Sequence, residues 1–426
     1  MSVPDQNASS GHARLWRWHF WAGVCLSPTL AVLAVTGLVY LFKPRVEPKL
    51  YEKWLRVPVG PAEVSVQRQW DNAQSAFPGW TAQSLIASPG AGRSTQVFLK
   101  SKEGPPLTVY VNPHDGTIVG SQRTDRTLMQ LAHDLHGSLL LGRAGEIAME
   151  MTAGWAFLLL ATGLFLWWPK KGGGGGVWYP RLSLSGRGRW RDLHAVPAFY
   201  LAGLLFLFVG TGVPWTGVTG KWISQIAQAT GTGSPPGFGG SPFTCDPAPG
   251  QKPLPLDRLV AVARERLPGA TPTILWPKDP RKAAVIRWKA PRPMDRAYIH
   301  VDPTTGAVLA DYRWKDFGWI GKFTLMSVAL HEGTWLGTWN LVLNSIVGLG
   351  VLALVATGAI LWWKRRPAGS WAGAPAATGR EPLPAAFWAL SALFFCLVPM
   401  AGASALALFG LDRILKQRRR RDVVPL

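Results

Sequence analysis

The sequence predicts a membrane protein: an α-helical transmembrane bundle of four core spans and a fifth C-terminal apolar helix, with two α+β modules outside the bilayer. Of its 426 residues, 48% are hydrophobic and only 16% are charged. There are 23 Trp against 7 Tyr, and Trp gathers at membrane–water interfaces. Several apolar stretches also reach the roughly 20 residues that a helix needs to cross a bilayer.

Other classes are excluded by the same composition. So much apolar surface must be buried that the chain cannot be intrinsically disordered. Three cysteines cannot staple a chain of this length as a disulfide scaffold. The net charge of +21 suggests a nucleic-acid partner at first. The low charge density and the excess of Trp favour a lipid bilayer instead, and no nucleic acid is expected.

Four apolar stretches have the length of spanning helices: Phe20–Phe42, Ile147–Trp168, Ala195–Trp215 and Leu341–Trp363. The first is too long for a cleaved secretory signal, and no small-residue cleavage site follows it. No acidic or basic residue buried within a span is expected, which argues against ion-coupled transport.

The distribution of Lys and Arg predicts the orientation. The short loop from Pro169 to Arg191 has six basic residues and no acid, and short basic loops stay in the cytoplasm. The N-terminus and this loop are therefore predicted inside. The long segments Lys43–Arg143 and Gly217–Phe323 are predicted outside, since long translocated domains obey the charge rule poorly.

The fifth apolar stretch, Leu383–Leu411, leaves two alternatives open. A full crossing places the basic tail Lys416–Arg421 outside the cell. A re-entrant turn at Pro399 keeps that tail inside. Span length favours the first alternative and charge favours the second.

The chain contains an internal repeat with an offset of 195 residues. Eight residues recur without a gap, namely His136, Leu141, Gly142, Ala161, Thr162, Gly163, Trp167 and Trp168 as His331, Leu336, Gly337, Ala356, Thr357, Gly358, Trp362 and Trp363. A fainter repeat, with an offset of 175, matches Arg14, His19, Thr36 and Gly37 to Arg189, His194, Thr211 and Gly212.

The two long outer segments also match each other. Tyr110–Val119 resembles His300–Leu309, and both read as a strand, a tight Pro/Gly turn and a second strand. Amphipathic helices are predicted before them at Ala62–Phe77 and Leu256–Leu267. Further strands are predicted at Ser84–Ala87, Thr95–Lys100, Thr273–Trp276 and Ala283–Trp288. Both halves enter the membrane in the same direction, so they are predicted to be parallel repeats about a pseudo-twofold axis.

Four of the eight histidines are matched by the repeats. His19 and His194 open the first and third spans, while His136 and His331 precede the second and fourth. A pseudo-twofold axis would bring the members of each pair face to face, as bis-His haem ligation requires. The alternative is a structural role at helix ends or among headgroups. His133, one turn before His136, is an alternative ligand or a supporting residue.

The remaining histidines and the cysteines suggest no other site. His12 and His114 are expected in solvent, and His300 on a surface or in packing. Zinc would need four ligands, often with Cys, and no cysteine pair has metal spacing. The Thr-Gly pairs inside the spans are expected to serve close helix packing, or else to make room for a flat macrocycle.

Four short motifs resemble the PepSY-associated transmembrane family, which includes iron-regulated inner-membrane proteins and di-haem ferric-siderophore reductases. They are Trp16-Arg-Trp-His19, His133-Asp-Leu-His136-Gly, Arg191-Asp-Leu-His194 and Leu330-His331-Glu-Gly. The outer Asn-Pro-x-x-Gly and Asp-Pro-x-x-Gly turns resemble PepSY modules. The resemblance covers about residues 12–366, and the fifth apolar stretch departs from the four-span pattern of the simplest reductases.

The resemblance implies two b haems per chain, with axial ligands His19 and His194 near the cytoplasm and His136 and His331 near the periplasm. It implies a haem-dependent reductase in the bacterial inner membrane, which reduces a ferric siderophore or another ferric chelate.

The domains in chain order are a cytoplasmic tail 1–15, span 16–43, PepSY-like periplasmic module 44–135, span 136–168, cytoplasmic loop 169–191, span 192–216, second PepSY-like module 217–330, span 331–363, connector 364–382, span or re-entrant helix 383–411, and basic tail 412–426.

The electron donor must be a separate cytoplasmic reductase or quinol, because the sequence has no dinucleotide-binding fingerprint. Gly172–Gly176 reads as a flexible connector. Between Gly217 and Leu330 there are 15 Lys/Arg against 8 Asp/Glu, net +7, so an anionic chelate is expected to dock on the second module. The alternatives are a non-enzymatic assembly or regulatory protein and a haem or metal transporter.

Overall fold

The computed structural model describes residues 10–169, 174–238, 241–248, 250–279, 281–366 and 398–407, and the single residues 389, 392, 410 and 414. The helices in chain order are α1 (Ser10–Leu41), α2 (Lys43–Leu50), α3 (Glu52–Leu55), α4 (Val66–Ala76), α5 (Leu128–Ser138), α6 (Gly142–Trp167), α7 (Gly186–Gly212), α8 (Thr219–Ala229), α9 (Leu256–Arg266), α10 (Trp319–His331) and α11 (Thr338–Arg365). The strands are β1 (Thr81–Ile86), β2 (Thr95–Lys100), β3 (Leu107–Val111), β4 (Ile118–Arg123), β5 (Thr273–Leu275), β6 (Ala284–Trp288), β7 (Ala297–Val301) and β8 (Val308–Tyr312).

The chain forms two compact units. The first contains Met1–Leu38, His133–Ile223 and Leu341–Leu426, and the second contains Val39–Ala132 and Ser224–Asn340. The first unit therefore holds the long apolar helices, and the second holds all eight strands.

Four helices in the described part of the chain are long and apolar enough to cross a membrane: Leu15–Leu41, Gly142–Trp167, Gly186–Trp215 and Thr338–Arg365. They coincide with the four core spans predicted from the sequence, which are confirmed by length and composition. Their apolar residues surround each helix, as expected where lipid covers one side and other helices cover the rest.

Glycines set the close contacts between these helices. A Cβ atom placed on Gly348 of α11 would lie 2.7 Å from Leu38 of α1, and one on Gly350 would lie 2.5 Å from Leu201 of α7. A side chain at either position would push these leucines aside, so the glycines favour the close approach of α11 to both neighbours.

The short helical stretch 399–407 packs on α6. The indole nitrogen of Trp155 donates to the hydroxyl of Ser404 over 2.9 Å, and a Cβ on Gly154 would lie 2.5 Å from Cβ of Ala401. Most of the predicted fifth apolar stretch, 383–411, and the basic tail lie outside the described residues. Its choice between span and re-entrant turn stays a prediction.

The second unit is built on an eight-stranded antiparallel sheet with the order β4-β3-β2-β1-β5-β6-β7-β8. Each predicted segment forms four strands, close to the predicted positions. The link between them was not predicted: β1 pairs with β5, with Leu85 opposite Ile274. The two segments therefore share one sheet rather than forming two separate sheets.

One hydrophobic core covers one face of this sheet. Helices α4 and α9, predicted from their amphipathic pattern, bury Val66, Ala73, Leu259 and Val260 against alternate strand residues such as Ile286. The two helices are also joined by Asp257, whose carboxylate accepts the backbone N–H of Val66 at 2.7 Å and of Gln67 at 3.1 Å. Both segments therefore contribute to a single core.

Candidate functional site

His19 lies in a socket formed by the Thr-Gly pair of another span. Its Nδ1 is 3.0 Å from Oγ1 of Thr162 near the end of α6. A Cβ on the adjacent Gly163 would lie only 3.2 Å from Cε1 of His19. The threonine therefore holds the imidazole, while the glycine leaves the space that the ring occupies.

His194 occupies an equivalent socket on the other pair of spans. Its Nδ1 is 2.9 Å from Oγ1 of Thr357 on α11, and a Cβ on Gly358 would lie 3.5 Å from its Cε1. The start of α7 thus meets the end of α11, just as the start of α1 meets the end of α6.

His136 makes the same contact at the opposite end of α1. Its Nδ1 is 3.1 Å from Oγ1 of Thr36, and a Cβ on Gly37 would lie 3.3 Å from its Cε1. The close packing expected of these Thr-Gly pairs is therefore packing against histidine rings. The sequence contained all members of this pattern, but spacing alone did not pair them.

The hydroxyl hydrogen of each threonine is already used within its own helix. Thr36 donates to the carbonyl of Val32, Thr162 to Leu158 and Thr357 to Ala353, over 2.6–2.7 Å. A hydroxyl has one hydrogen, so Oγ1 must accept from the imidazole N–H. Nδ1 therefore carries the proton in all three histidines, and Nε2 keeps an unprotonated lone pair. This is the arrangement in which an imidazole binds a metal.

The first two sockets bring His19 and His194 together. Their ring centroids are 6.5 Å apart, with the ring planes inclined by 77°. A metal–imidazole bond is about 2 Å long, so two imidazoles on either side of one ion have ring centres about 6 Å apart. The separation of the two ring centres in this pair is therefore close to that of two imidazoles on one ion.

A buried carboxylate beside this pair was not singled out from the sequence. Asp192, two residues before His194, is fully buried and pairs with Arg181 at 2.7 Å and with Arg191 at 2.8 Å. It also accepts the backbone N–H of Arg181 over 3.2 Å. Asp192 thus ties the basic loop to the start of α7, the helix that carries His194.

Aromatic and cationic side chains near His19 in the sequence join the start of α1 to the end of α11. The guanidinium of Arg365, at the end of α11, lies 4.1 Å from the ring centre of Trp16, which stacks on Phe20 at 5.6 Å. Cation–π contacts of this kind attach the end of α11 to the start of α1. They place positive charge at the end of the span that the sequence predicted to be cytoplasmic.

His331 and His133 are the remaining histidines considered as ligands. His331 is the last residue of α10 and belongs to the second unit. His133, the alternative to His136, is largely exposed and lies 3.1 Å from the carboxylate of Asp134.

Two expectations about the remaining histidines need revision. His12 is half-buried, and His114 donates from Nδ1 to the carbonyl oxygen of Ala62 over 2.9 Å, so neither projects freely into water. His300 is fully buried in β7, where it packs against Phe243, so the packing role expected of it is correct. None of these three adds a ligand to the pair described above.

The expectation that no span buries a charged residue is wrong. Glu150 lies within α6 and is 2% exposed. Its carboxylate accepts the backbone N–H groups of Val218 and Thr219 at 2.9 Å and the hydroxyl of Thr219 at 2.5 Å. These donors belong to the start of α8, so the charge is satisfied as the cap of a neighbouring helix.

Within the described residues, no group of three or more His, Cys, Asp or Glu side chains could hold a metal ion alone. Cys25 and Cys245 are both free thiols, and Cys396 lies outside the described residues. A haem needs only two protein ligands, because its porphyrin supplies four nitrogens, so the imidazole pair remains compatible with that group.

A family model described as the PepSY-associated TM region matches residues 16–365. The matched range begins in the Trp16-Arg-Trp-His19 motif and ends at the last residue of α11. It therefore contains the four apolar helices and all four repeat-matched histidines. Among curated proteins, none matches the chain.

Proposed function

Because the chain belongs to the PepSY-associated transmembrane family, we propose that it is a transmembrane electron-transfer protein that binds two b haems and reduces an acceptor outside the membrane. The observation that carries this proposal is the His19–His194 pair. Both imidazoles are held by a threonine at Nδ1, and their rings are 6.5 Å apart. A haem held between them would supply a one-electron carrier inside the bundle.

The sequence repeat alone leads us to propose His136 and His331 as ligands of the second haem. The 195-residue offset equates these two histidines, as the 175-residue offset equates His19 and His194. The contact of His136 with Thr36 favours it over His133, which is exposed and pairs with a carboxylate. His133 is then a supporting residue on the same helix.

The chain's own residues prepare these sites in three ways. The threonines fix the proton on Nδ1, Gly163 and Gly37 make room for the rings of His19 and His136, and Asp192 anchors the segment that carries His194. Outer-shell contacts of this kind orient a ligand and increase its basicity.

The electrons are proposed to come from a cytoplasmic reductase or from quinol, since the sequence lacks a nicotinamide-binding motif. The proposed acceptor is a ferric siderophore or another ferric chelate. Reduction to Fe²⁺ lowers the charge on the metal and weakens its hold on hard oxygen ligands. Under this proposal, the two halves of the eight-stranded sheet are PepSY-like periplasmic modules of a parallel repeat, in a protein of the bacterial inner membrane with a cytoplasmic N-terminus.

The absorption spectrum of protein purified with a full haem supply tests the proposal. We expect a low-spin b-type spectrum and about two haems per chain. His19→Ala and His331→Ala should each lose one haem, whereas the control His114→Ala should keep both. Dithionite-reduced protein should then be reoxidised by ferric chelates.

Three results would contradict the proposal. Purified protein without a Soret band would exclude haem, and unchanged spectra in both histidine variants would exclude these ligands. Uptake of haem or metal into vesicles without any reductant would support the transporter alternative instead.

A further inference from the structure

A cavity of about 350 Å³ lies on the sheet face opposite the α9 core. Side chains alternate between the two faces of a strand. Ala284 and Ile286 of β6 point into the core, so Val285 and Arg287 face the cavity. The volume is within the range of small-ligand pockets, roughly 300–1,000 Å³.

Part of the cavity lining is apolar and aromatic. Phe238 and Tyr298 line it with ring centroids 4.8 Å apart, and Val285 lies beside them. Tyr298 and Val285 are almost completely buried. This surface suits the body of a small organic molecule, particularly a planar one that can pack against aromatic rings.

The polar lining is mainly cationic. Lys278, Lys282 and Arg287 line the cavity together with one acid, Asp279. Asp279 accepts the backbone N–H of Arg281 over 2.9 Å and pairs with its side chain at 3.6 Å, so its charge is already balanced. The three cations form no ion pair with another described residue. Lys282 lies near enough to the Asp279 carboxylate to help lower its pKa. The lining as a whole still has three cations against one acid, so it favours an anionic ligand.

We propose that this cavity binds a small organic anion with an aromatic body, with Lys282 and Arg287 on its negative group and Phe238 and Tyr298 against its ring. Binding needs neither haem nor reductant. The proposal deepens the proposed function, on which its biological role rests, because such an anion has the chemistry of one arm of an anionic chelate.

Salicylate is a suitable probe, with salicylamide as its uncharged analogue. Calorimetric titration of the full-length oxidised protein in detergent should show saturable binding of salicylate. Arg287→Gln and Lys282→Gln should each weaken it about tenfold, because each removes a charge-assisted contact. The control Arg68→Gln removes an exposed cation from α4 on the other face and should have no effect. Salicylamide should bind more weakly than salicylate.

Absence of saturable binding, equal binding of both compounds, or equal loss in all three variants would overturn the proposal. The outcome is separable from the proposed function. A protein that holds two haems but does not bind salicylate refutes the cavity site alone. One that binds salicylate but contains no haem refutes the electron-transfer role alone.

Discussion

The hydroxyl of Thr162 decides which nitrogen of His19 carries the proton. It donates to the carbonyl of Leu158 and must therefore accept from Nδ1 of the histidine. The same arrangement at His194 and His136 gives three imidazoles whose Nε2 atoms retain a lone pair. A valine of the same shape would keep the packing and remove the acceptor.

Thr162→Val is therefore expected to preserve the fold and to weaken the proposed haem site. Loss of an outer-shell partner typically costs about 10–100-fold in metal affinity or activity. A potentiometric titration of the purified variant should show an altered midpoint for one of two haems, or partial loss of that haem. The control is Thr152→Val. In the wild type, the hydroxyl of Thr152 donates to the carbonyl oxygen of Ala148 within its own helix. Identical midpoints in wild type and Thr162→Val would contradict the role given to this threonine.

His300 should make the second unit sensitive to acid. Burial lowers the pKa of His300 below its ordinary value of 6.5. The unfolded imidazole therefore binds a proton at a higher pH than the folded one, so the free energy of unfolding falls as pH drops below about 6.5. Its ring neighbours are Phe243 and Tyr312, and Ser241 meets its Nδ1.

His300→Phe should flatten this pH dependence. Unfolding of the full chain should be followed by Trp fluorescence at pH 7 and pH 5, and the wild type should lose more stability between them than the variant. An equal loss in both proteins would show that His300 takes up its proton at the same pH in the folded and the unfolded chain, and would contradict this prediction.

A side chain of α6 caps the start of α8. Glu150 receives two backbone N–H groups and one hydroxyl at the start of α8, a helix that the sequence did not predict. The first N–H groups of a helix have no partner within it, so an acceptor from elsewhere is needed where water is excluded. Glu150, a single acid within an apolar stretch, therefore caps a neighbouring helix and does not indicate an ion pathway.

Glu150→Ala should destabilise the protein by about 1–3 kcal/mol, because it leaves buried donors without an acceptor. The matched control is Glu146→Ala, one turn earlier, where an exposed pair with Arg143 should contribute no more than about 1 kcal/mol. Equilibrium unfolding in detergent measures both. Equal effects of the two substitutions would contradict the capping role.

Membrane topology concerns the whole molecule. His19, in the first part of α1, lies beside Thr162 near the far end of the next span, so these two successive spans run in opposite directions. The basic loop before α7 then lies on the same side as the N-terminus. The charge pattern predicts that this side is the cytoplasm.

Cysteine labelling tests this orientation. In a background with the three native cysteines replaced by serine, Lys102→Cys should react with an impermeant maleimide in intact spheroplasts. Ser183→Cys, in the basic loop, should react only after permeabilisation. Both positions are exposed in their own units, so access depends on the membrane. The reverse pattern would show that the orientation is inverted.

Several features were predictable because they depend on local pattern. Long apolar runs define the four spans, and alternating residues define strands such as β2, since both follow from burying side chains at a fixed period. The pairing of Leu85 with Ile274 was not predictable, because β1 and β5 lie far apart in the chain. The backbone groups of any exposed strand edge could have formed hydrogen bonds with β5, so the strand pattern does not specify its partner.

By itself, the sequence determined the spans, the four-stranded segments and the four repeat-matched histidines, because these depend on length, periodicity and recurrence. Only the tertiary structure decided that the Thr-Gly pairs are sockets for three of those histidines, and that Glu150 caps a helix. These roles depend on which atoms meet across separate helices. A hydrogen bond forms only within about 3 Å, whereas a sequence gives separations along the chain.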